Sequence, residues 1–571
     1  MQSLVLVCVC VGLTCVGLIR VGLARRAWRG GVLSRRLLWT ACVLLVCVGV
    51  VSVTDAAAKK SGKKNRKPAQ RVNNQESSQS LKKASEKLAM LEKIHQSFPP
   101  KKSGASLVYS SSDLDRDLTL RIGAAESEYA NVINDEGFLR RVSFDLIGQP
   151  PEPEDVKEFL ANTDAKKRAK KIDELLASSD YGQHWGHYWR TAVMHNAPGK
   201  KKLLNPQALE DWFADEFEQN TGWDRIVCEL LAATPRKPKK DEKDGPQDYG
   251  PNNYALAFEN EPEELASQTA RLFMGINIQC AECHDHPFDK WKREQFHELA
   301  AFFSSKPYYM PDAHDPSQKK VMHARFLLGE VPPKYIDTPD GRRVAVAAYL
   351  VYNPDNHWFA RAFVNRIWNE LLGDGFYSVD SLGPDKECHY QPVIVRLASA
   401  FRSKDFNVKW LFRTIMNSQA YQRESRTLGQ NEKLFTAVRP SRMRPDQVIA
   451  SLENVIDSLG KTRRSVATIF DADLSLPQDL LEGSIQQALL LMNNETIQKG
   501  LKASDLKQQL VAITDDDEML NELYLGVLAR KVTPAELVRG RSHLKRAASR
   551  SEAVDDLIWI LVNSTEFVTK K

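Results

Sequence analysis

The stretch PEELASQTARLFMGINIQCAECHDHPFDKWKREQFHELAAFF, residues 262–303, sets the frame for reading the whole chain. Proline at 262 suits the first position of a helix, where a missing N–H costs nothing, so residues 262–274 read as a helix and residues 290–303 as a second one. Between them lies Cys280-Ala281-Glu282-Cys283-His284. Two thiols at this spacing, followed at once by an imidazole, are what covalent c-type haem attachment requires. On a helical turn, residues at i, i+3 and i+4 share one face, so both sulfurs can reach vinyl groups while His284 becomes the proximal iron ligand. The same residues also suit a zinc ion, a disulfide or a pair of plain thiols.

Outward from this stretch the pattern stays helical. Residues 114–305 read as successive helices, broken at Pro150-Pro151, at Pro198-Gly199 and in a charged, proline-containing surface loop over 234–253. Residues 306–341 contain Pro307, Pro311, Pro316, Pro332, Pro333 and Pro339, which marks a connector with at most short strands around 324–328. Beyond it, residues 342–352, 357–372, 392–401, 408–417, 445–459 and 519–528 carry helical patterns, with no internal repeat. The expected fold is mainly α: two helical domains, 114–305 and 342–571, joined by the proline-rich connector. Residues 59–113 are expected to form a disordered tether rich in Lys, Ser, Asn and Gln, with a short amphipathic helix over 81–94 built on Leu81, Leu88, Leu91 and Ile94.

The first 58 residues have the character of an export signal or membrane anchor. Residues 37–53 are apolar, preceded by Arg35 and Arg36 and followed by Ala56-Ala57-Ala58, the order of a secretory signal. An earlier apolar run, 4–19, is separated from it by Arg20, Arg25, Arg26 and Arg29, so the two form a membrane hairpin, or translation starts internally near Val32 or Leu33. The expected location is the periplasm or cell envelope, with membrane attachment through the N-terminus if it is uncleaved.

Charge is divided along the chain. Residues 1–75 hold 13 Lys or Arg and one Asp or Glu, of 79 and 73 in the whole, so the remainder carries −6 despite an overall +6. With no basic face implied, nucleic acid is not an expected partner. Of nine cysteines, Cys8, Cys10, Cys15, Cys42 and Cys47 fall in the apolar runs, leaving Cys228, Cys280, Cys283 and Cys388. Four thiols in so long a chain do not make a disulfide framework, so apolar burial has to stabilise it.

A sixth iron ligand would come from His184, His187, His286, His389 or Met274. An apolar haem pocket would draw on Phe288, Trp291, Phe296, Phe302 and Phe303. Zinc would instead use Cys280 and Cys283 with His284 or His286, completed by Cys388 and His389, because closed sites join two separated ligand clusters. Asp285 and Asp289, flanking His286, suit metal binding, acceptance of hydrogen bonds from an imidazole, or helix capping. Trp185 and Trp189, at i and i+4, predict a buried aromatic face. Residues 357–368 carry a core stripe that leaves Arg361, Asn365 and Arg366 to cap, pair or bind an anion. The chain holds no nucleophile elbow, Walker loop or dinucleotide fingerprint.

Longer blocks carry a family resemblance. Residues 141–151 (RVSFDLIGQPP), 175–182 (LLASSDYG) and 280–289 (CAECHDHPFD), then 353–361 (NPDNHWFAR), 364–368 (VNRIW), 372–375 (LGDG) and 559–567 (WILVNSTEF) resemble, in order, Domain of Unknown Function 1549 followed by Domain of Unknown Function 1553, a planctomycete cytochrome-C-like pair. Gln149 stands where that family commonly has Leu, and residues 387–392 (ECHYQP) replace a segment usually ending in His-Pro. The resemblance implies an exported protein linked to sulfatase-like envelope partners and polysaccharide use, without an established reaction. Three functions follow as expectations: electron transfer through haem c at Cys280, Cys283 and His284; a non-catalytic envelope scaffold with a structural cysteine motif; or a metal-dependent enzyme acting on polysaccharide.

Overall fold

The helix Asp135–Ile147 is buried on every side from Phe138 to Leu146, so it runs through an interior and does not cover one. Its Phe138, Leu139, Val142 and Leu146 join one hydrophobic core, while Phe144 points into another. Asn134 caps its start, accepting from the Gly137 amide at 2.8 Å. Gly148 ends it at φ 72°, the left-handed geometry that glycine adopts without Cβ strain.

This computed structural model describes residues 74–98, 108–195, 197–198, 204–235, 245–312, 315, 317–429, 432–471, 473–474 and 483–570, with side chains from 85 onward except at 127 and 335. The signal or anchor region and the tether up to residue 73 lie outside the described residues. Residues from Asn74 onward form one compact unit. Among the described residues it is mainly α-helical, with two short antiparallel strand pairs. Among the described residues no helix is long and apolar enough to cross a membrane.

The first core centres on aromatic side chains. Trp189 meets Trp223 at 4.3 Å between ring centroids, Trp223 meets Phe363 at 4.5 Å, and Trp185 meets Phe412 at 4.6 Å. Trp185 and Trp189 are both fully buried, the aromatic face that their spacing predicts. This core begins at Leu91 and Ile94 and takes in Phe326, Leu327 and Ile336 from the proline-rich segment, then the helices Pro339–Tyr352, Trp358–Leu372, Gln391–Ser403 and Val408–Met416. The second core is built from residues 443–568 together with Phe144.

The connector 306–341 places its buried side chains in the same core as the helices on either side of it, a core that Leu474, Leu525 and Ala529 also join. Its strands are Tyr308–Pro311 and Lys319–Met322, paired antiparallel, whereas 324–328 forms no strand. Likewise the helix expected at 81–94 is Asn74–His95, and it docks on the rest: Leu91 and Ile94 are buried, and the His95 ring stacks on Tyr352 at 4.1 Å. A second strand pair, Ser441–Arg442 with Thr569–Lys570, brings Lys570 to the interior beside the Asp135–Ile147 helix.

Candidate functional site

The helix Pro262–Met274 stops at Gly275, whose amide donates back to Arg271 O at 3.1 Å with φ 65°. Ile276 and Ile278 then anchor the chain in the core, and the 3-10 turn Gln279–Glu282 follows. Ala281, fully buried, is the turn's foot. A small apolar residue between the thiols pins the backbone inward, so Cys280 and Cys283 project outward, exposed and free of disulfide.

The next residues define which nitrogens are available. His284 Nδ1 lies 2.8 Å from the Asp285 carbonyl, which can only accept, so Nδ1 is the donor of this contact and, in the neutral ring, Nε2 is the nitrogen with the lone pair. His286 Nδ1 accepts from the Phe288 amide at 3.1 Å and is thereby occupied. The Asp285 carboxylate accepts from Lys292 Nζ at 2.9 Å and the Arg293 amide at 3.0 Å, and these bonds draw its pKa down. Beneath the turn, the Glu282 carbonyl accepts from Arg293 Nε at 3.2 Å and His297 Nε2 at 3.0 Å, both on the helix Arg293–Ala300.

The second region closes on this face. Trp291, buried, meets Trp358 edge-on at 6.0 Å. Leu382 N donates to Gly275 O at 2.6 Å, and Lys386 Nζ donates to Phe288 O at 3.3 Å. The loop that carries Cys388 and His389 therefore lies beside the loop that follows the motif. Cys388 is half-buried, and burial raises its thiol pKa. Among the described residues, no three or more His, Cys, Asp or Glu side chains come together as a metal-holding group, so Cys388 and His389 do not complete a cluster with Cys280, Cys283, His284 and His286.

The other expected partners are placed elsewhere. Met274 is core. His187 pairs with Glu210 at 3.2 Å. Of the expected pocket residues, Trp291, Phe296, Phe302 and Phe303 are buried in the first core, and only Phe288, 78 % exposed, stands on the surface beside the motif. The apolar cover expected from the other four is absent because their rings pack inward, where burial is worth more.

His184 belongs to a buried ionic cluster that the sequence reading did not find. Arg444 Nη2 donates to His184 Nε2 at 2.8 Å, and His184 Nδ1 faces Asp446 Oδ2 at 3.5 Å. Arg444 also pairs with Glu370, whose carboxylate meets Lys570 Nζ at 3.0 Å. Lys570 bridges to Asp145 at 3.0 Å, and Tyr421 donates to the other oxygen of Asp145 at 2.8 Å. Burial and then Arg444 push the His184 pKa down to about 4. Burial raises the Asp145 pKa, whereas for Glu370 the Lys570 and Arg444 charges outweigh burial and lower it. Asp446 lines a cavity of about 340 Å³ with Gln149, Glu152, Glu453, Asn454 and Arg463. Arg366, expected to pair, does so with Asp380, which also accepts from Arg271 at 2.7 Å.

Fold and site together define a mainly α-helical protein whose two successive regions meet in the first core and at the loop that follows the cysteine motif. Residues 113–308 match the family PSCyt2, described as a protein of unknown function (DUF1549), and residues 342–469 match PSD1, described as a protein of unknown function (DUF1553). The chain belongs to the proteins that carry this domain pair, in this order. The 559–567 block lies beyond the matched residues. No curated protein and no solved structure matches the chain.

Proposed function

We propose that the protein is an exported electron-transfer protein of the cell envelope that carries haem c on Cys280, Cys283 and His284. The observation that carries this reading is the tautomer of His284: with Nδ1–H donating to the Asp285 carbonyl, Nε2 is the nitrogen free to bind iron, and two exposed thiols stand three residues apart next to it. The donor set fits the group. Cys280 and Cys283 would hold it by thioether bonds, His284 would be its axial ligand, and the haem would supply one-electron chemistry.

This chain's own residues do the positioning. Ala281 anchors the turn, Arg293 and His297 hold its Glu282 carbonyl, and Asp285 holds the backbone that orients His284. Of the aromatic residues considered for the pocket, Phe288 alone is exposed beside the motif, so a group held here faces outward. That suits electron exchange with a redox partner better than chemistry on an enclosed substrate.

The test is a visible and pyridine-haemochrome spectrum of the full chain expressed with a cytochrome c maturation system, beside a Cys280→Ala/Cys283→Ala control. A covalent haem signal that depends on both cysteines is the expected result. A folded, exported protein without it would leave the envelope scaffold as the better reading.

A further inference from the structure

A cavity of about 520 Å³ opens beside the strand pair of the proline-rich segment, inside the range of about 300–1,000 Å³ usual for small-molecule sites. Three pieces of chain meet there. The helix Arg293–Ala300 runs out into Ala301, the paired strands set Tyr308 opposite Met322, and residues 331–339 return to start the helix Pro339–Tyr352. They converge because Tyr308, Met322, Ala324 and Ile336 are all buried in the first core.

The lining has two halves. Tyr308 and Met322 form a closed apolar wall, and Val321 and Val331, each about half exposed, form an apolar rim. The polar half is cationic: Lys306, His323 and Arg342 stand against Asp337, the single carboxylate of the lining. Asp337 is already taken, because Arg342 donates to it at 2.8 Å and to the Ser304 carbonyl at 2.8 Å. Arg342 Nε is buried without a partner. Lys306 and His323 are exposed, and their side chains make no hydrogen bond or ion pair among the described residues. Pro307, Pro332 and Pro339, also in the lining, bring no N–H and so interrupt the backbone donors that an extended peptide would pair with.

We propose that this cavity binds a small amphipathic anion, an organic acid whose carboxylate accepts from Lys306 and His323 and whose apolar chain lies against Tyr308, Met322, Val321 and Val331. Each half of the lining excludes the alternatives. A neutral apolar molecule would cover the ammonium of Lys306 without replacing its water, and a cation would meet like charge, whereas a carboxylate makes charge-assisted hydrogen bonds there. A short polar anion would leave the apolar wall wet and forgo its burial. The site is distinct from the cysteine motif, since Cys280, Cys283 and His284 are not in its lining. The two are neighbours through Tyr308, whose hydroxyl lies 2.8 Å from His297 Nδ1, while His297 Nε2 holds the Glu282 carbonyl of the motif turn.

The test is NMR of the full chain labelled at its methionine methyl groups, expressed without the maturation system and titrated with decanoate below its micelle concentration. The Met322 signal is assigned by its loss in Met322→Leu, so it reports this cavity and no other surface that could take up an apolar chain. Decyltrimethylammonium keeps the chain and reverses the charge; acetate keeps the charge and removes the chain. The expected result is a saturable shift of the Met322 methyl with decanoate, weaker binding of both other probes, and affinity for decanoate reduced roughly tenfold in Lys306→Gln/His323→Gln, about what two part-exposed charge contacts contribute. Both substituted side chains are exposed, so the thermal midpoint of that variant should match the wild type. No Met322 shift with decanoate, equal binding of decyltrimethylammonium or acetate, or an unchanged affinity in the double variant would each overturn the proposal. Neither result bears on the haem reading, because these proteins carry no haem.

Discussion

Lys570 Nζ lies 3.0 Å from Asp145 Oδ1, across a junction of elements 425 residues apart in the chain. The same ammonium holds Glu370, and all three side chains are at most 3 % exposed. One cation between two carboxylates is stable only while every member is present. Lys570→Met should therefore cost about 3–5 kcal/mol, because it leaves buried negative charge uncompensated. Denaturant unfolding measures it, and a loss below about 1 kcal/mol would mean that the cluster is solvated in solution.

His184 gives the protein an acid-sensitive component. Its folded pKa of about 4 lies below the ordinary 6.5, so between these values the unfolded chain binds a proton that the folded one refuses. Stability is full above about pH 6.5 and falls as pH drops toward 4, by on the order of 3 kcal/mol in total. Unfolding free energy followed across that window should slope less in His184→Gln than in the wild type. Parallel curves would remove His184 as the cause.

Gly148 faces the same ring. A Cβ built at this position would sit 2.1 Å from His184 Nδ1, and the residue has φ 72°. Gly148→Ala combines left-handed backbone strain with overpacking against a buried ring, for about 3 kcal/mol lost. A drop in thermal midpoint checks it, and an unchanged midpoint would mean that the ring has room to move.

Trp358 ties the second region to the motif loop through Trp291. Trp358→Ala should cost about 3 kcal/mol and leave a cavity under Trp291. The His286 amide, which donates to Trp291 O at 2.8 Å, should then exchange its hydrogen faster. Unchanged exchange there would mean that the loop is held without the tryptophan pair.

The helical class, most helices up to residue 455, and the thiol–thiol–imidazole order of the motif were legible in the sequence, because these follow from periodicity, proline placement and spacing within a few turns. The sequence did not yield the short helices Ile485–Asn493 and Pro534–Arg546, although Ser484 with Gln487 and Thr533 with Glu536 form capping boxes that announce both. Long-range packing was needed to show that the proline-rich segment belongs to the first core, that four of five aromatic residues near the motif turn inward, and that His284 Nδ1 is the nitrogen engaged by the Asp285 carbonyl. It alone assembled Asp145, His184, Glu370, Arg444, Asp446 and Lys570. Local pattern records which face of a helix is apolar. Which buried charges meet depends on where distant helices cross, and no short stretch of sequence encodes that.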